Sequence, residues 1–413
     1  MSEFQTRRLD AFIVDASVLL GRGDIISKED IEAHPGPYPI YSSSAQGNGK
    51  FGEYGKFMFD EELITWSVDG GGYFFYRDKH RYSVTNVCGY MRVKSSKLHP
   101  KFVFYSLANQ HRYQTFDYTT KAHPSVIQKL YWLPTIGYEH QKKIASILSG
   151  IDTAIEKTEA LIAKYQQIKA GLMHDLFTRG VLPNGQLRPP REQAPELYQE
   201  TAIGWIPRDW SLISIGTAFD IQLGKMLNQD AKTGKSSFPY VGNRSVQWNR
   251  IDLDALEEMD FSPTEREKFS LKNGDLLVCE GGDVGRTAIW DCPLENCYYQ
   301  KAIHRLRPKG NQVKPRFMLR FMWHAKSTGH FDNYTSQTSI AHLTQEKLAA
   351  VPMAAPSINE QNRLIARFDG IYSILDREQD FLANLRQQKS GLMHDLLTGK
   401  VPVKVGAGET AYG

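Results

Sequence analysis

One hexapeptide occurs twice in this chain. Gly171-Leu172-Met173-His174-Asp175-Leu176 returns as Gly391-Leu392-Met393-His394-Asp395-Leu396, at an offset of 220 residues. The match runs upstream without a gap: Gln141 aligns with Gln361, Ile144 with Leu364, Gly150 with Gly370, Ile151 with Ile371 and Ile155 with Leu375. Such a repeat restricts the fold to two copies of one architectural unit, and 413 residues suffice for two cores.

Inside each copy the apolar residues step by four and three. The first carries Ile144, Leu148, Ile151, Ile155, Ile162, Tyr165, Leu172 and Leu176. The second carries Leu364, Phe368, Ile371, Leu375, Leu382, Leu385, Leu392 and Leu396. This heptad seam predicts one long helix per copy. About five heptads at ~1.5 Å per residue give about 50 Å. Polar interruptions fall in step too, Thr158 with Glu378 and Lys169 with Lys389. Neither helix can bury its stripe alone, so an antiparallel coiled coil of the two is expected. Two ordinary core helices fit less well, because globular helices rarely exceed about 20 residues. Both helices stop alike, at Thr178-Arg179-Gly180-Val181-Leu182-Pro183 and Thr398-Gly399-Lys400-Val401-Pro402, where glycine and then proline end a helix.

The segments before the helices are richer in aromatic and β-branched residues. Leu63-Ile64-Thr65-Trp66-Ser67-Val68 and Leu276-Leu277-Val278 read as strands between Gly or Asp turns. The two segments differ in sequence but share an order of features. Tyr38-Pro39-Ile40-Tyr41 stands where Phe238-Pro239-Tyr240-Val241 does, and the turn Asp69-Gly70-Gly71-Gly72 where Gly281-Gly282-Asp283-Val284-Gly285 does. Further on, Lys101-Phe102-Val103-Phe104 matches Arg316-Phe317-Met318, and Ser125–Leu130 matches Leu343–Leu348. The expected class is α+β: two mixed α/β heads separated by two long antiparallel coiled-coil helices, with a pseudo-twofold internal repeat. The expected division is head 1–136, helix 137–180, linker 181–204, head 205–350, helix 351–400 and tail 401–413.

Composition excludes little by itself. A net charge of +4 neither demands nor forbids nucleic acid, since local patches matter more than totals. No run approaches the ~18 apolar residues of a membrane span, and MSEFQTRRLDAF lacks the apolar core of a signal peptide. The 4 cysteines make no disulfide framework in a chain of this length. A cytoplasmic protein without membrane partners is expected. Catalytic signatures are also missing. There is no Asn-Pro-Pro-aromatic sequence for amino methylation, and Pro189-Pro190 follows Arg188 in the linker. Gly234-Lys235-Ser236 is not a phosphate loop, because Gln229 stands where its first glycine belongs. Gly21-Arg22-Gly23 lacks the third glycine of a dinucleotide turn. Cys279, Cys292, Cys297 and His304 lack the Cys-x-x-Cys spacing of a zinc knuckle, so neither metal nor cofactor is expected in this chain. His174 and His394 recur at helix ends beside an Asp, which suits a helix-end or subunit contact better than acid–base work.

These features resemble the specificity subunit of Type I restriction–modification systems. The resemblance rests on Glu360-Gln361 at one helix start, matched by His140-Gln141, and on the two Gly-Leu-Met-His-Asp-Leu helix ends. Ile203-Gly204-Trp205-Ile206-Pro207-Arg208-Asp209-Trp210 is similar to the family's usual head opening, and so is Leu271-Lys272-Asn273-Gly274-Asp275-Leu276-Leu277. The first head departs, lacking a Gly-x-Ile-Pro-x-x-Trp opening and carrying His140 where Glu is usual. The resemblance implies two target recognition domains, each reading one half of a split, asymmetric site on double-stranded DNA. The helices would serve as a ruler and as a docking surface for two methylation subunits, which restriction subunits join. S-adenosylmethionine and ATP would belong to those partners. Two other classes remain in view, a self-contained DNA methyltransferase and a coiled-coil scaffold without DNA contact.

Reading DNA needs basic and amide side chains on loops. The first head offers Ser43, Ser44, Gln46, Lys50, Lys56, Arg77, Lys79, Arg81, Thr120 and Lys121. The second offers Asn243, Arg244, Gln247, Asn249, Arg250, Arg286, Lys301, Gln337 and Ser339. Asn and Gln can bind adenine bidentately and Arg can do so for guanine, while Ser and Lys more often hold phosphates. Any one of these could be an ordinary solvated group; the set is what points to DNA.

Overall fold

A computed structural model describes residues 4–44, 47–69, 71–116, 121–291, 294–334 and 342–405, the side chains of Asp230 and Lys232 excepted. Contacts divide the chain into two units, Met1–Leu161 with Glu378–Gly413, and Ile162–Arg377. Two helices dominate, Tyr138–Thr178 and Ile358–Thr398, of 41 residues each. At ~1.5 Å per residue each is about 60 Å long, somewhat more than the seam predicts. Both end as expected, at Gly180 with φ 66° and Gly399 with φ 80°, a backbone that glycine adopts without strain.

The division between units passes through both helices. Each unit therefore holds a head, the start of the helix that follows it and the end of the other helix. In the first unit Ile144 and Leu148 share a core with Met393, Leu396 and Leu397 and with Phe102 and Tyr105 of the head. The helix portions run antiparallel there: Asp152 pairs with Lys389 at 2.6 Å and Glu159 with Arg386 at 2.7 Å. In the second unit Leu364 and Phe368 share a core with Met173, Leu176 and Phe177 and with Phe317 and Phe321. Phe177 stacks on Phe368 with ring centroids 5.4 Å apart, and the Lys169 ammonium lies 4.4 Å from the Tyr372 ring centre. The predicted seam thus needs one correction. Its ends bury against a head as well as against the other helix. Ile371 and Leu375 are buried, whereas Ile151 and Ile155 are only half-buried.

Each head is a coiled sheet covered by a short helix. In the first, six strands lie in the order Val18–Arg22, Cys88–Val93, Phe59–Ser67, Phe74–Val84, Tyr38–Tyr41 and Lys50–Tyr54. The second repeats this order as Phe219–Leu223, Ile303–Pro308, Asp275–Cys279 and Thr287–Trp290, then, in a separate sheet, Tyr298–Tyr299, Ser237–Val241 and Glu257–Asp260. The two Pro-bearing strands occupy the same slot, parallel to a neighbour at Ile40/Ser83 and Tyr240/Tyr298. Helices Pro100–His111 and Pro315–Ser327 back these sheets, each opened by proline in its first turn. A two-stranded ribbon closes each head, Thr6–Arg8 with Trp132–Pro134 and Ser211–Ser214 with Pro352–Ala355. The second ribbon is why the second helix starts at Ile358 and not at 351. Residues 198–204, expected as linker, contribute to the hairpin Tyr198–Thr201/Gly204–Pro207.

A buried glutamine joins each head to its helix. The Gln141 carbonyl oxygen accepts from the His99 backbone N–H at 2.9 Å, and its amide donates to the carbonyls of Lys97 and Ile136 at 3.0 and 2.8 Å. Gln361 repeats this, accepting from Lys314 N–H at 2.9 Å and donating to Gln312 and Pro356, both at 2.9 Å. His99 and Lys314 are the N-caps of the two backing helices. One side chain therefore satisfies an orphan helix-start donor and two loop carbonyls.

The residue before each glutamine differs. Glu360 is buried and takes both Arg188 guanidinium N–H groups, at 2.5 and 3.0 Å, with Val181 N–H at 2.7 Å and the Trp210 indole N–H at 3.1 Å. His140 is exposed. In the chain's first unit Phe4 lies against Gly399 as Trp210 lies against Gly180.

Replacing Gln361 with Leu strands three backbone groups in an apolar junction. The expected cost is about 3 kcal/mol, read as a melting temperature lowered by several degrees; an unchanged melting temperature would refute the clamp. His324 is a second test. Burial, with His174 and His330 nearby, pushes its pKa down to about 4. The unfolded chain therefore binds the proton first. Stability should be full above pH ~6.5 and fall by up to roughly 3 kcal/mol as pH drops toward 4. His324→Phe, which keeps the stack on Phe177, should flatten that slope in melting curves taken between pH 7 and 4.

Candidate nucleic-acid interface

Backbone hydrogen bonds gather five segments of the first head into one rim. Gly23 N–H bonds to Cys88 O and Asp24 N–H to Val84 O; Thr85 N–H bonds to Tyr41 O, Val68 N–H to Val87 O, and Ala122 N–H to Val68 O. Side chains tighten it: Ser67 Oγ donates to Ser43 O at 2.7 Å, Thr85 Oγ1 to Ser42 Oγ at 3.0 Å, and Arg22 reaches Asn86 O. Lys121 pairs with Asp69 at 3.1 Å across two of these segments. The coil of the sheet makes this possible, because it returns the end of Phe74–Val84 to the start of Cys88–Val93.

The second head builds the same rim from other residues. Lys225 N–H bonds to Tyr299 O, Lys301 N–H to Lys225 O, Glu280 N–H to Ala302 O and Leu343 N–H to Glu280 O. Asn243 Nδ2 donates to Gly281 O at 3.4 Å, and the Trp248 indole donates to Asp283 at 2.9 Å. In each head the participants are the loop after the first strand, the loop after the Pro-bearing strand, the glycine turn, the loop before the strand beside the first, and the segment leading to the last short helix.

The sequence candidates distribute unevenly over this rim. Ser43, Ser44, Lys121, Asn243, Arg244, Gln247, Arg286 and Lys301 lie on or directly behind it. Lys50 opens a strand and pairs with Glu53. Lys56 sits on a separate turn facing Asp30. Lys79 and Arg81 lie on the open face of their strand, where Arg81 donates to the Tyr38 hydroxyl at 3.0 Å and covers the Phe57 ring. Asn249 and Arg250 belong to the hairpin Val246–Gln247/Arg250–Ile251, which lines a cavity of about 320 Å³ with Arg316 and Arg320. Arg77 departs most from expectation: it is 2% exposed. It belongs to strand Phe74–Val84, where its side chain turns inward, and not to a loop. Gln46, Thr120, Gln337 and Ser339 lie outside the described residues. Among the described residues no group of His, Cys, Asp or Glu could hold a metal; Cys279 and Cys297 are buried, the His304 ring bonds to Leu343 O, and Cys292 lies outside the described residues.

One rim segment was missed from sequence although a signal exists. Gly23-Asp24-Ile25-Ile26-Ser27 and Gly224-Lys225-Met226-Leu227-Asn228 occupy the same place in the two heads. Each glycine lies against a neighbouring backbone, at Val84 O and Gln300 O, where a Cβ would collide. Ser27 and Asn228 each cap the short helix that follows, by accepting from Asp30 and Ala231 N–H. Between those fixed ends Ile25 and Met226 point outward, 79% and 58% exposed. Gly23→Ala should therefore displace the rim and cost roughly 1–3 kcal/mol, with faster amide exchange at 84–88; unchanged exchange there would count against this close approach.

The comparisons with known proteins agree with one another. The sequence model for the Type I restriction modification DNA specificity domain matches residues 1–167 and again 207–386. The MjaVIII Type I restriction enzyme specificity subunit of Methanocaldococcus jannaschii is 22% identical over 399 residues, covering 92% of this chain and 89% of that protein. A putative type I specificity subunit of Mycoplasma pneumoniae is 24% identical over 357 residues, 86% of each chain. The crystal structure of a Type I restriction–modification S subunit from M. genitalium superposes with a TM-score of 0.61 at 17% identity, covering 98% of this chain and 97% of that one.

Proposed function

The chain belongs to the Type I restriction modification DNA specificity family, and we propose that each rim reads one half of a bipartite, asymmetric DNA site. It is a specificity subunit, the non-catalytic member of such a complex. The observation that carries the reading is the rim itself. Two heads with little sequence in common gather the same five segments on the same sheet order, with different side chains at each point. A shared frame with divergent rims is what reading two different half-sites requires.

Charge supports this division of labour. Lys50 and Lys121 are neutralised by Glu53 and Asp69, while Lys79, Arg244, Arg250 and Lys301 make no ion pair among the described residues. The latter four are available to phosphates or bases. We assign as its partners two methylation subunits docked on the long helices, joined by restriction subunits. S-adenosylmethionine and ATP would be bound by these and not by this chain. We place the complex in the cytoplasm with its DNA. No helix among the described residues is long and apolar enough to cross a membrane.

The test is an exchange of one head. The ribbon Ser211–Ser214/Pro352–Ala355 closes the second head, so the exchanged segment should run from 211 to 355 and keep that pair together. In a host carrying the methylation subunits, methylome sequencing should show one half-site replaced and the other retained. Replacement of both halves, or of neither, contradicts the assignment.

A further inference from the structure

Arg77 is a cation buried where, among the described residues, no anion meets it. Its Nε donates to Thr65 Oγ1 at 2.9 Å and its Nη1 to the Asn48 carbonyl at 2.8 Å. Its Nη2 is buried without a hydrogen-bond partner among the described residues and faces the Tyr41 side chain. The guanidinium carbon lies 3.6 Å from the Tyr41 ring centre and 4.8 Å from that of Phe75. The titratable neighbours facing it, Tyr41, Tyr82 and Cys88, are neutral groups, and burial drives the Cys88 thiol up to about 11. No carboxylate pairs with Arg77 among the described residues. Burying a charge without a counter-ion is costly, and two hydrogen bonds and a stacked ring offset only part of that cost. Stability alone therefore does not account for Arg77.

The acceptor at Asn48 suggests what does. Gly47, Asn48 and Gly49 have φ of 57°, 57° and 74°, three successive left-handed residues of which one is not glycine. Such a segment holds its shape only where its surroundings impose it. Arg77 supplies that constraint from below, and the loop it holds carries Ser43 and Ser44 on the rim.

The second head reaches the same result by another route. Arg286 donates through Nη2 to the Asn243 carbonyl at 2.6 Å, in the loop after the corresponding Pro-bearing strand, and its Nε is likewise buried without a partner. Register makes the coincidence informative. Leu63 faces Arg77 across the sheet, whereas Arg286 precedes strand Thr287–Trp290, so the two arginines are not equivalent positions. Different strand positions have converged on one contact: a guanidinium on the backbone carbonyl of the loop that follows the Pro-bearing strand.

We propose that Arg77 and Arg286 are positioning residues for base recognition: each fixes a rim loop by its main-chain carbonyl, and neither touches DNA. This rests on the rims being the reading surfaces. It separates two roles that both fall to arginine. A phosphate-binding arginine adds affinity for any sequence and contributes about one unit of salt slope. A positioning arginine leaves the slope alone and sharpens the choice between bases.

The experiment uses the full chain assembled with its methylation subunits, carrying Arg77→Met or Arg286→Met. Binding is measured to the cognate duplex and to duplexes altered at one base in either half-site, over a salt series. For Arg77→Met, discrimination in the first head's half-site should fall about tenfold, a fold-change typical of one lost base-pair preference. The other half-site and the salt slope should stay as in wild type, while the melting temperature should fall by a few degrees for the two acceptors left unpaired. Arg286→Met should mirror this in the other half-site. Arg286 as a whole residue is only half-buried, so it carries the test if Arg77→Met fails to fold. A slope lowered by about one with discrimination intact would make the residue a phosphate contact and overturn the proposal. Wild-type discrimination in both variants would also overturn it. A wild-type complex that does not discriminate at all would instead overturn the reading of the rims.

Discussion

Everything in this fold hangs on a side-chain amide placed three residues after the first residue of each long helix. Gln141 and Gln361 each close three hydrogen bonds to backbone groups of a head, and each does so from full burial. A buried N–H or C=O without a partner costs on the order of 1–3 kcal/mol, so the junction cannot be remade with an apolar residue. Nor can it slide. The amide has one acceptor face and one donor face, and the N-cap donor and loop carbonyls must meet them in a single arrangement. Apolar residues such as Leu148 and Phe368 supply area beside it but would tolerate a shifted register. The glutamine is what makes the orientation of each head on its helix unique.

A junction defined in this way frees the other end of the head. The clamp, the backing helix and the closing ribbon lie together, whereas the rim loops join strand ends on the coiled sheet. The rim is held by main-chain bonds such as Thr85 N–H to Tyr41 O and Lys301 N–H to Lys225 O, which do not depend on side-chain identity. Side chains there can diverge without loosening the frame. That is the physical basis for two heads with one topology and dissimilar sequences.

The same distinction explains what could be read in the chain before its fold was known. Heptad spacing, the helix stops at Gly180 and Gly399 and the paired order of Tyr38–Tyr41 and 238–241 were legible, because each depends on local geometry or on a repeat. Ribbon Pro352–Ala355 was not, since its partner Ser211–Ser214 lies far away in sequence and prolines argue against a strand unless it is short. The rim loops 23–27 and 224–228 were legible in principle, through a shared Gly-x-apolar-apolar-cap pattern, but basic and amide residues drew attention away from them. Arg77 illustrates the limit. Sequence marks it as a cation among aromatics, and only the coil of the strand shows that its charge points inward to Asn48 O and not outward to solvent.

The frame repeats in its apolar and amide parts but not in its buried charge. Glu360 sits at 2% exposure and needs the four donors it has, from Arg188, Val181 and Trp210. An ion pair so deep adds little net stability, yet losing one partner would strand the other. The first unit shows what removes that need. Phe4 stands against Gly399 where Trp210 stands against Gly180, and a phenyl ring has no N–H to offer a carboxylate. The backbone donor is gone as well, since Val401 N–H, the counterpart of Val181 N–H, bonds to Asp395 O. The residue there is His140, exposed to water, where it demands nothing of its surroundings. The departure from the repeat is thus a coupled one: ring without donor and helix start without buried anion go together, and the glutamine one residue on holds the head in either case.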